Sequence, residues 1–298
     1  MAYLLAVGPG NRLFVPVSRA GRIYLGLNLA GCRITAGSNR IVAVSTFPLL
    51  DSCMGRHLDA DLAALKPGKT IVKEWINLLP AGKRVETLNA LWWLWLDNGC
   101  SIVSVPPGSR VEIASIIQDA EQAAGEFDEG RINRIKAAVD SAIIAEGYSP
   151  TGMFSQQVIL GCNRDLLVER DYSRCIRLLD CNSSIADGLL LTRENTVDGI
   201  SFGVLFDGAV VAEAHHRYPG LGPENVVEVG VHTALKYRDR GFGKTVVSRL
   251  VKHAADLGGE ALYACGHDNI PAISLAKSVG FVQYGRQLVF TSNKRVSL

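Results

Sequence analysis

Near position 240 the residues Arg238-Asp239-Arg240-Gly241-Phe242-Gly243-Lys244 have the composition of a polyphosphate cradle. Gly241 and Gly243 carry no side chain, so the backbone there can approach phosphate oxygens closely. Arg238, Arg240 and Lys244 add positive charge. If a helix begins at this point, its unpaired amides and the positive end of its dipole also attract a pyrophosphate. A tight strand-to-helix turn with solvated arginines uses the same residue types, so the flanking elements decide between the two readings. Just upstream, Val226–Thr233 alternates as a strand does: Val227, Val229 and Val231 share one face, and Glu228, Gly230 and His232 the other. Glu228 can act there as a general base, directly or through water, or be a solvated or ion-paired strand residue. His232, on the same face, is a second base candidate. His215 and His216 end the preceding strand, where one could reach a substrate cleft, although histidines at strand ends are often structural.

The elements needed to position these groups are present in the second half. Arg174–Asp180 reads as a strand and 183–192 as a helix. Phe202–Phe206 and Ala209–Ala214 are strands joined by Asp207-Gly208, a strong hairpin signal. Val226–Thr233 is a strand, 242–257 a helix, Ala261–Cys265 a strand, 271–278 a helix and Phe281–Phe290 a final strand. This order predicts an α/β (α+β) fold with a mixed central sheet flanked by helices.

In the first half, 12–16, 22–28 and 41–45 read as short strands. Helices are expected at 58–66, 69–79, 84–97, 110–125 and 131–147, with a buried strand at Ser101–Val105 and a break at Pro150-Thr151-Gly152. Trp92, Trp93 and Trp95 of the 84–97 segment point around a helix, which favours burial over a ligand pocket. Ala63–Thr70, AALKPGKT, fits a loose phosphate-loop pattern. Such a loop needs a buried strand before it, and HLDADLAA reads as helical, so the match is taken as chance.

Composition sets outer limits. A chain of 298 residues is comfortable for two domains. With 48% hydrophobic and 20% charged residues it can bury a sizeable core. A net charge of +2 gives no electrostatic footprint for nucleic acid. The seven cysteines are scattered without Cys-x-x-Cys spacing, which argues against a disulfide framework or a zinc site and for reduced thiols in the cytoplasm. The start, MAYLLAVGPGNR, lacks the basic region of a signal peptide, and no apolar run reaches membrane-spanning length. No metal, nucleic-acid or membrane partner is expected, and a homodimer is left open.

Two signatures carry a resemblance. Arg238–Gly243 fits Arg/Gln-x-x-Gly-x-Gly/Ala, and Asp268-Asn269-Ile270-Pro271 opens a helix that ends in Gly280-Phe281. In this order and at this distance they resemble the GCN5-related N-acetyltransferases, the GNAT family, over the last third of the chain. Thr233-Ala234-Leu235-Lys236-Tyr237-Arg238 is similar to a branch with Thr-x-Pro-x-Tyr-Arg, Leu235 standing where proline is common. That branch holds antibiotic self-resistance enzymes and glycine acyltransferase-like enzymes, so the substrate does not follow.

The resemblance implies an acetyl-CoA-dependent N-acetyltransferase domain at 166–298, with 1–165 an unrecognised accessory domain or a degenerate copy of the second. It implies that Arg238, Asp239, Arg240, Gly241, Phe242, Gly243 and Lys244 hold the coenzyme A pyrophosphate. Backbone amides around Val231, His232 and Thr233 would polarise the thioester and pair with the pantetheine. Asn269 and Ser274 would lie near the pantetheine arm. A primary amine, most simply of a small molecule, would attack directly, with Glu228, His232 and Ser274 as the catalytic candidates. The sequence departs from the family at Ala276, where many members carry a tyrosine acid, which leaves Tyr263 or water to protonate the thiolate. Cys265 allows a ping-pong route or is simply a buried strand cysteine. A protein acetyltransferase and a non-catalytic acyl-CoA-binding regulator are the rival readings.

Overall fold

The protein is described here by a computed structural model covering residues 2–8, 11–17, 32–37, 40–65, 68–74, 77–78, 87–122, 129–178, 185–187, 189, 200–216 and 225–294. In the first half the elements are β1 Ala2–Gly8, β2 Asn11–Val17, β3 Cys32–Gly37, β4 Arg40–Ser45, α1 Pro48–His57, β5 Thr70–Glu74, β6 Asn77–Leu78, β7 Thr87–Leu96, β8 Ser101–Val105, α2 Arg110–Gln122, α3 Glu129–Ala145 and β9 Tyr148–Cys162. The second half adds β10 Cys175–Arg177, β11 Ser201–Phe206, β12 Ala209–His216, β13 Val226–Thr233, α4 Phe242–Asp256, β14 Glu260–Gly266, α5 Ile270–Val279 and β15 Val282–Lys294. The expected strand at 22–28 and helix at 183–192 lie outside the described residues, apart from Ile185–Asp187 and Leu189.

One mixed sheet runs through both halves in the order β10-β11-β12-β13-β14-β9-β15-β7-β8-β5, with β6 beside β7. The pairs β13–β14 and β5–β8 are parallel, and the other ladders of this sheet are antiparallel. Strand β9, from before residue 165, lies between β14 and β15, from after it. The expected boundary at 165/166 therefore does not coincide with a break in the sheet.

Three expectations for the first half are corrected. The 84–97 segment is a strand, not a helix. It is buried on both faces: Leu91 and Trp93 pack under α2 and α3, while Trp92 and Leu94 pack under α1. A strand covered on both sides is apolar at nearly every position, so its hydrophobic pattern cannot be told from that of a buried helix. The 69–79 segment contains strands β5 and β6, not a helix. The helix expected at 58–66 lies earlier, at Pro48–His57, and a short 3-10 turn at Leu62–Ala64 follows, capped by Asp61. Proline is well placed at the start of α1, and Glu260 Oε2 accepts the Leu50 amide at 2.8 Å, a cap supplied from 210 residues away. The AALKPGKT stretch leads into strand β5 and so opens no helix.

Strand β9 passes through the expected break at Pro150. Residues 148–150 and 154–155 pair with β15 alone, with a register shift between them, and in a strand with one neighbour a proline can face its missing N–H away from the ladder.

The second half matches its expectations closely outside 183–192, where Ile185 forms a parallel bridge with Val210 and none of the described residues is helical. Asp207 and Gly208 both have positive φ, at 50° and 76°, as a tight two-residue hairpin turn requires. Helix α4 places Val246, Val247, Leu250, Val251 and Ala254 against Ala212, Ala214, Val227 and Val229. Among the described residues no helix is long and apolar enough to cross a membrane.

Candidate active site

The site is made by two strands that part. β13 and β14 pair only over Val226–Glu228 with Glu260–Leu262. Beyond that, β13 continues to Thr233 and β14 to Gly266, leaving a notch of about 520 Å³. Glu213 and His215 of β12, Gly230–His232 of β13, Tyr263–Gly266 of β14 and Gln157 of β9 line it.

The register fixes what the β13 backbone offers. The Ala234 amide donates to Val211 O at 3.0 Å, and the Glu228 amide donates to His216 Nδ1 at 3.2 Å. Even-numbered amides thus point toward β12, and those of Val229, Val231 and Thr233 point toward β14. The β14 ladder ends with the Glu228–Leu262 pair, which uses the Val229 amide, so beyond it the amides of Val231 and Thr233 face the notch. They are preorganised donors of the kind that stabilises a developing oxyanion. Arg238 Nε donates to Thr233 O at 3.3 Å, tying the following loop to the strand end.

That loop opens α4. Asp239 and Gly241 have φ of 61° and 82°, and Gly241 is the N-cap with no side-chain cap. The first intrahelical bond, from the Thr245 amide to Gly241 O, leaves the amides of Phe242, Gly243 and Lys244 without helical partners. A Cβ at Gly243 would sit 3.0 Å from Leu275 Cδ1 and 3.1 Å from Thr233 Oγ1, so glycine lets the helix start dock between β13 and α5. Arg238, Asp239, Arg240 and Lys244 are exposed around it. Phe206 packs edge-on to Tyr237 and tilted on Phe242, with ring centroids 6.1 and 5.1 Å apart, and Arg240 lies 5.6 Å from the Tyr237 ring centre. The residues present fit a pyrophosphate: uncapped amides, glycines and cations converge at one helix end.

The side chains sort differently from the sequence reading. His232 lines the notch, whereas Glu228 sits half-buried at the last ladder pair and is not among the lining residues. Ser274 is exposed on α5 and does not line the notch either. Asn269 does, and its Oδ1 caps α5 by accepting the Ala272 amide at 3.2 Å. Of the histidine pair, His215 lines the notch. His216 is buried on the opposite face of β12, and burial, partly offset by its bond to Glu228, lowers its pKa and keeps it neutral. Burial pushes the Tyr263 hydroxyl up to about 12, so it stays a phenol that can donate a hydrogen bond but surrenders its proton reluctantly. Burial also raises the Cys265 thiol, the reverse of what a nucleophilic cysteine needs. Ala276 is fully buried.

Two polar lining side chains went unread in the sequence. Glu213 is buried within the apolar run of β12, and a carboxylate amid AVVAEA was the available signal. Gln157 belongs to the unexpected strand β9; it accepts from Gln287, which in turn accepts from Trp92 Nε1 at 2.9 Å. Among the described residues no group of three or more His, Cys, Asp or Glu side chains is placed to hold a metal.

Residues 170–281 match the family model described as the acetyltransferase (GNAT) family. No curated protein matches the sequence. Solved structures that match include a GNAT family protein from Novosphingobium aromaticivorans, 20% identical over 50% of this chain and 69% of that chain, with a TM-score of 0.41. A GNAT family acetyltransferase from Colwellia psychrerythraea is 13% identical over 83% of this chain and 97% of that chain, with a TM-score of 0.38. A Salmonella typhimurium structure with its cofactor acetyl-CoA is 18% identical over 31% of this chain and 63% of that chain, with a TM-score of 0.27. The parted strands, the loop after β13 and the helix it opens all fall within the matched span.

Proposed function

We propose that this chain is an acetyl-CoA-dependent N-acetyltransferase acting on a primary amine of a small molecule. The observation that carries the reading is the continuity of two donor sets. Outward amides of Val231 and Thr233 lead, within nine residues, to the uncapped amides of Phe242, Gly243 and Lys244. The first set suits a thioester carbonyl and the second a pyrophosphate. In this reading Arg238, Asp239, Arg240, Gly241, Phe242, Gly243 and Lys244 cradle the phosphates, and Val231, His232, Thr233 and Asn269 border the pantetheine arm. The acceptor amine then attacks directly, without an acyl-enzyme, which suits the raised Cys265 thiol. A notch of about 520 Å³ favours a small acceptor over a protein segment.

Calorimetric titration with acetyl-CoA, followed by thiol release against a panel of primary amines, tests this. Saturable binding with amine-dependent thiol release is expected. Absence of acetyl-CoA binding overturns the reading, and binding without release for any amine favours a sensor.

A further inference from the structure

The inner face of β12 and β13 holds a buried carboxylate to which the proposed function gives no task. Glu213 stands opposite His232 and His215 opposite Gly230, while Ser201 of β11 stands opposite His215. Directly opposed residues share a face of the sheet, so Ser201, Glu213, His215, Gly230 and His232 lie together, away from α4. Glu213 is 0% exposed and yet lines the notch. Its Oε1 accepts from Ser201 Oγ at 3.0 Å and lies 3.2 Å from His215 Nδ1, close enough to pair with a protonated ring though off the hydrogen-bonding axis. Its Oε2 is buried and, among the described residues, has no hydrogen-bond partner. A carboxylate oxygen left in that state is costly for a fold and marks a place where a donor belongs. The His215 ring lies across Gly230, where a Cβ would come within 2.4 Å of Nε2. The far nitrogen of the imidazole therefore reaches the stretch of β13 whose outward amides face the notch.

Resting on the acetyltransferase reading, we propose that Glu213 and His215 form the subsite for the acceptor's ammonium group. Glu213 Oε2 accepts one N–H of the incoming primary ammonium, and His215 takes one proton from it. The neutral amine adds to the thioester carbonyl through its freed lone pair, forming the C–N bond as the C–S bond breaks. The leaving sulfur carries away the electron pair and receives the second nitrogen proton, and the imidazolium later releases its own to solvent. Glu213 faces positive charge before and after the first transfer, as the carboxylate behind a catalytic imidazole does. Among the described residues, the other titratable groups near His215 are Glu228 and His232 on the same face of β13, Tyr263 and Cys265 lining the same notch, and the adjacent His216, which lies on the other face of β12 but feels the His215 charge.

Ethylammonium chloride and histidine-ring NMR of the full chain test the subsite directly. The probe is expected to shift the His215 ring signals saturably in the wild type and not in Glu213→Gln. With ethylamine as acceptor, His215→Gln is expected to slow thiol release by about 10²–10⁴-fold and to remove the acid limb of the kcat/KM profile. Its acetyl-CoA affinity by calorimetry should stay at the wild-type value. An unchanged ethylammonium response in Glu213→Gln, or a retained acid limb in His215→Gln, overturns the proposal. Should acetyl-CoA not bind the wild type, the proposed function falls, and the ethylammonium titration still decides the subsite: a shift lost in Glu213→Gln supports it, and no shift overturns it.

Discussion

Gly230→Ala is the sharpest single perturbation of the site. An added Cβ would lie 2.4 Å from His215 Nε2, 2.8 Å from Cε1 and 3.0 Å from Cδ2, against ordinary contacts of 3.4–4 Å. The φ of Gly230 is not positive, so alanine meets no backbone penalty and the whole effect falls on the ring. The imidazole must retreat by about 1 Å, a displacement that can cost on the order of 10²-fold in rate at a reacting group. Overpacking of this kind typically costs about 1–3 kcal/mol of stability. The assay is thiol release from acetyl-CoA with ethylamine, beside a denaturant titration and a calorimetric affinity for acetyl-CoA. We expect a large loss of kcat/KM, a modest loss of stability and an unchanged cofactor affinity. In a His215→Ala background the same change should cost little stability, because the ring it displaces is gone. An unchanged kcat/KM, or an equal destabilisation with and without the His215 ring, refutes the reasoning.

Other expectations concern the cofactor end and the frame. Gly243→Val pushes its side chain into Leu275 and Thr233, and should weaken acetyl-CoA binding by at least about tenfold in calorimetry as the helix start is displaced. A fragment of residues 166–298 loses β9, which pairs with both β14 and β15 and buries Val158, Ile159, Leu160 and Cys162. It should be insoluble or lack cooperative unfolding by circular dichroism, and a well-folded monomeric fragment would count against the shared sheet. Burial raises the Glu260 pKa from 4.5 to about 7, so the folded chain holds a proton there that the unfolded chain has released. That contribution is full below about pH 4.5 and lost as pH rises toward 7. Glu260→Gln can still accept from the Leu50 amide, and should flatten the pH dependence of the melting temperature across that window.

The sequence was most legible where local chemistry decides local structure. Asp207-Gly208 is a turn in almost any context, and the glycines at 241 and 243 mark a tight strand-to-helix passage on their own. The first half was hard to read because its elements are settled by distant partners. β7 is a strand because α1, α2 and α3 cover its two faces, and nothing within TLNALWWLWL separates that from a buried helix. The start of α1 is capped by Glu260, which no local window contains. The same holds within the site. Alternation placed Glu228 and His232 on the correct face of β13, but it could not show that the β14 ladder stops at Leu262 and puts Glu228 at the closed end of the notch. Glu213 became visible only once the hairpin register set it opposite His232.

The central claim is that one continuous run of β13 and α4 amides receives acetyl-CoA. The direct measurement is a proton–nitrogen NMR titration of the full chain with acetyl-CoA. The account predicts saturable shifts at the amides of Phe242, Gly243 and Lys244 together with Val231 and Thr233, and smaller ones at the inward amide of Ala234. Binding that leaves Phe242–Lys244 unmoved, or no binding at all, would contradict it.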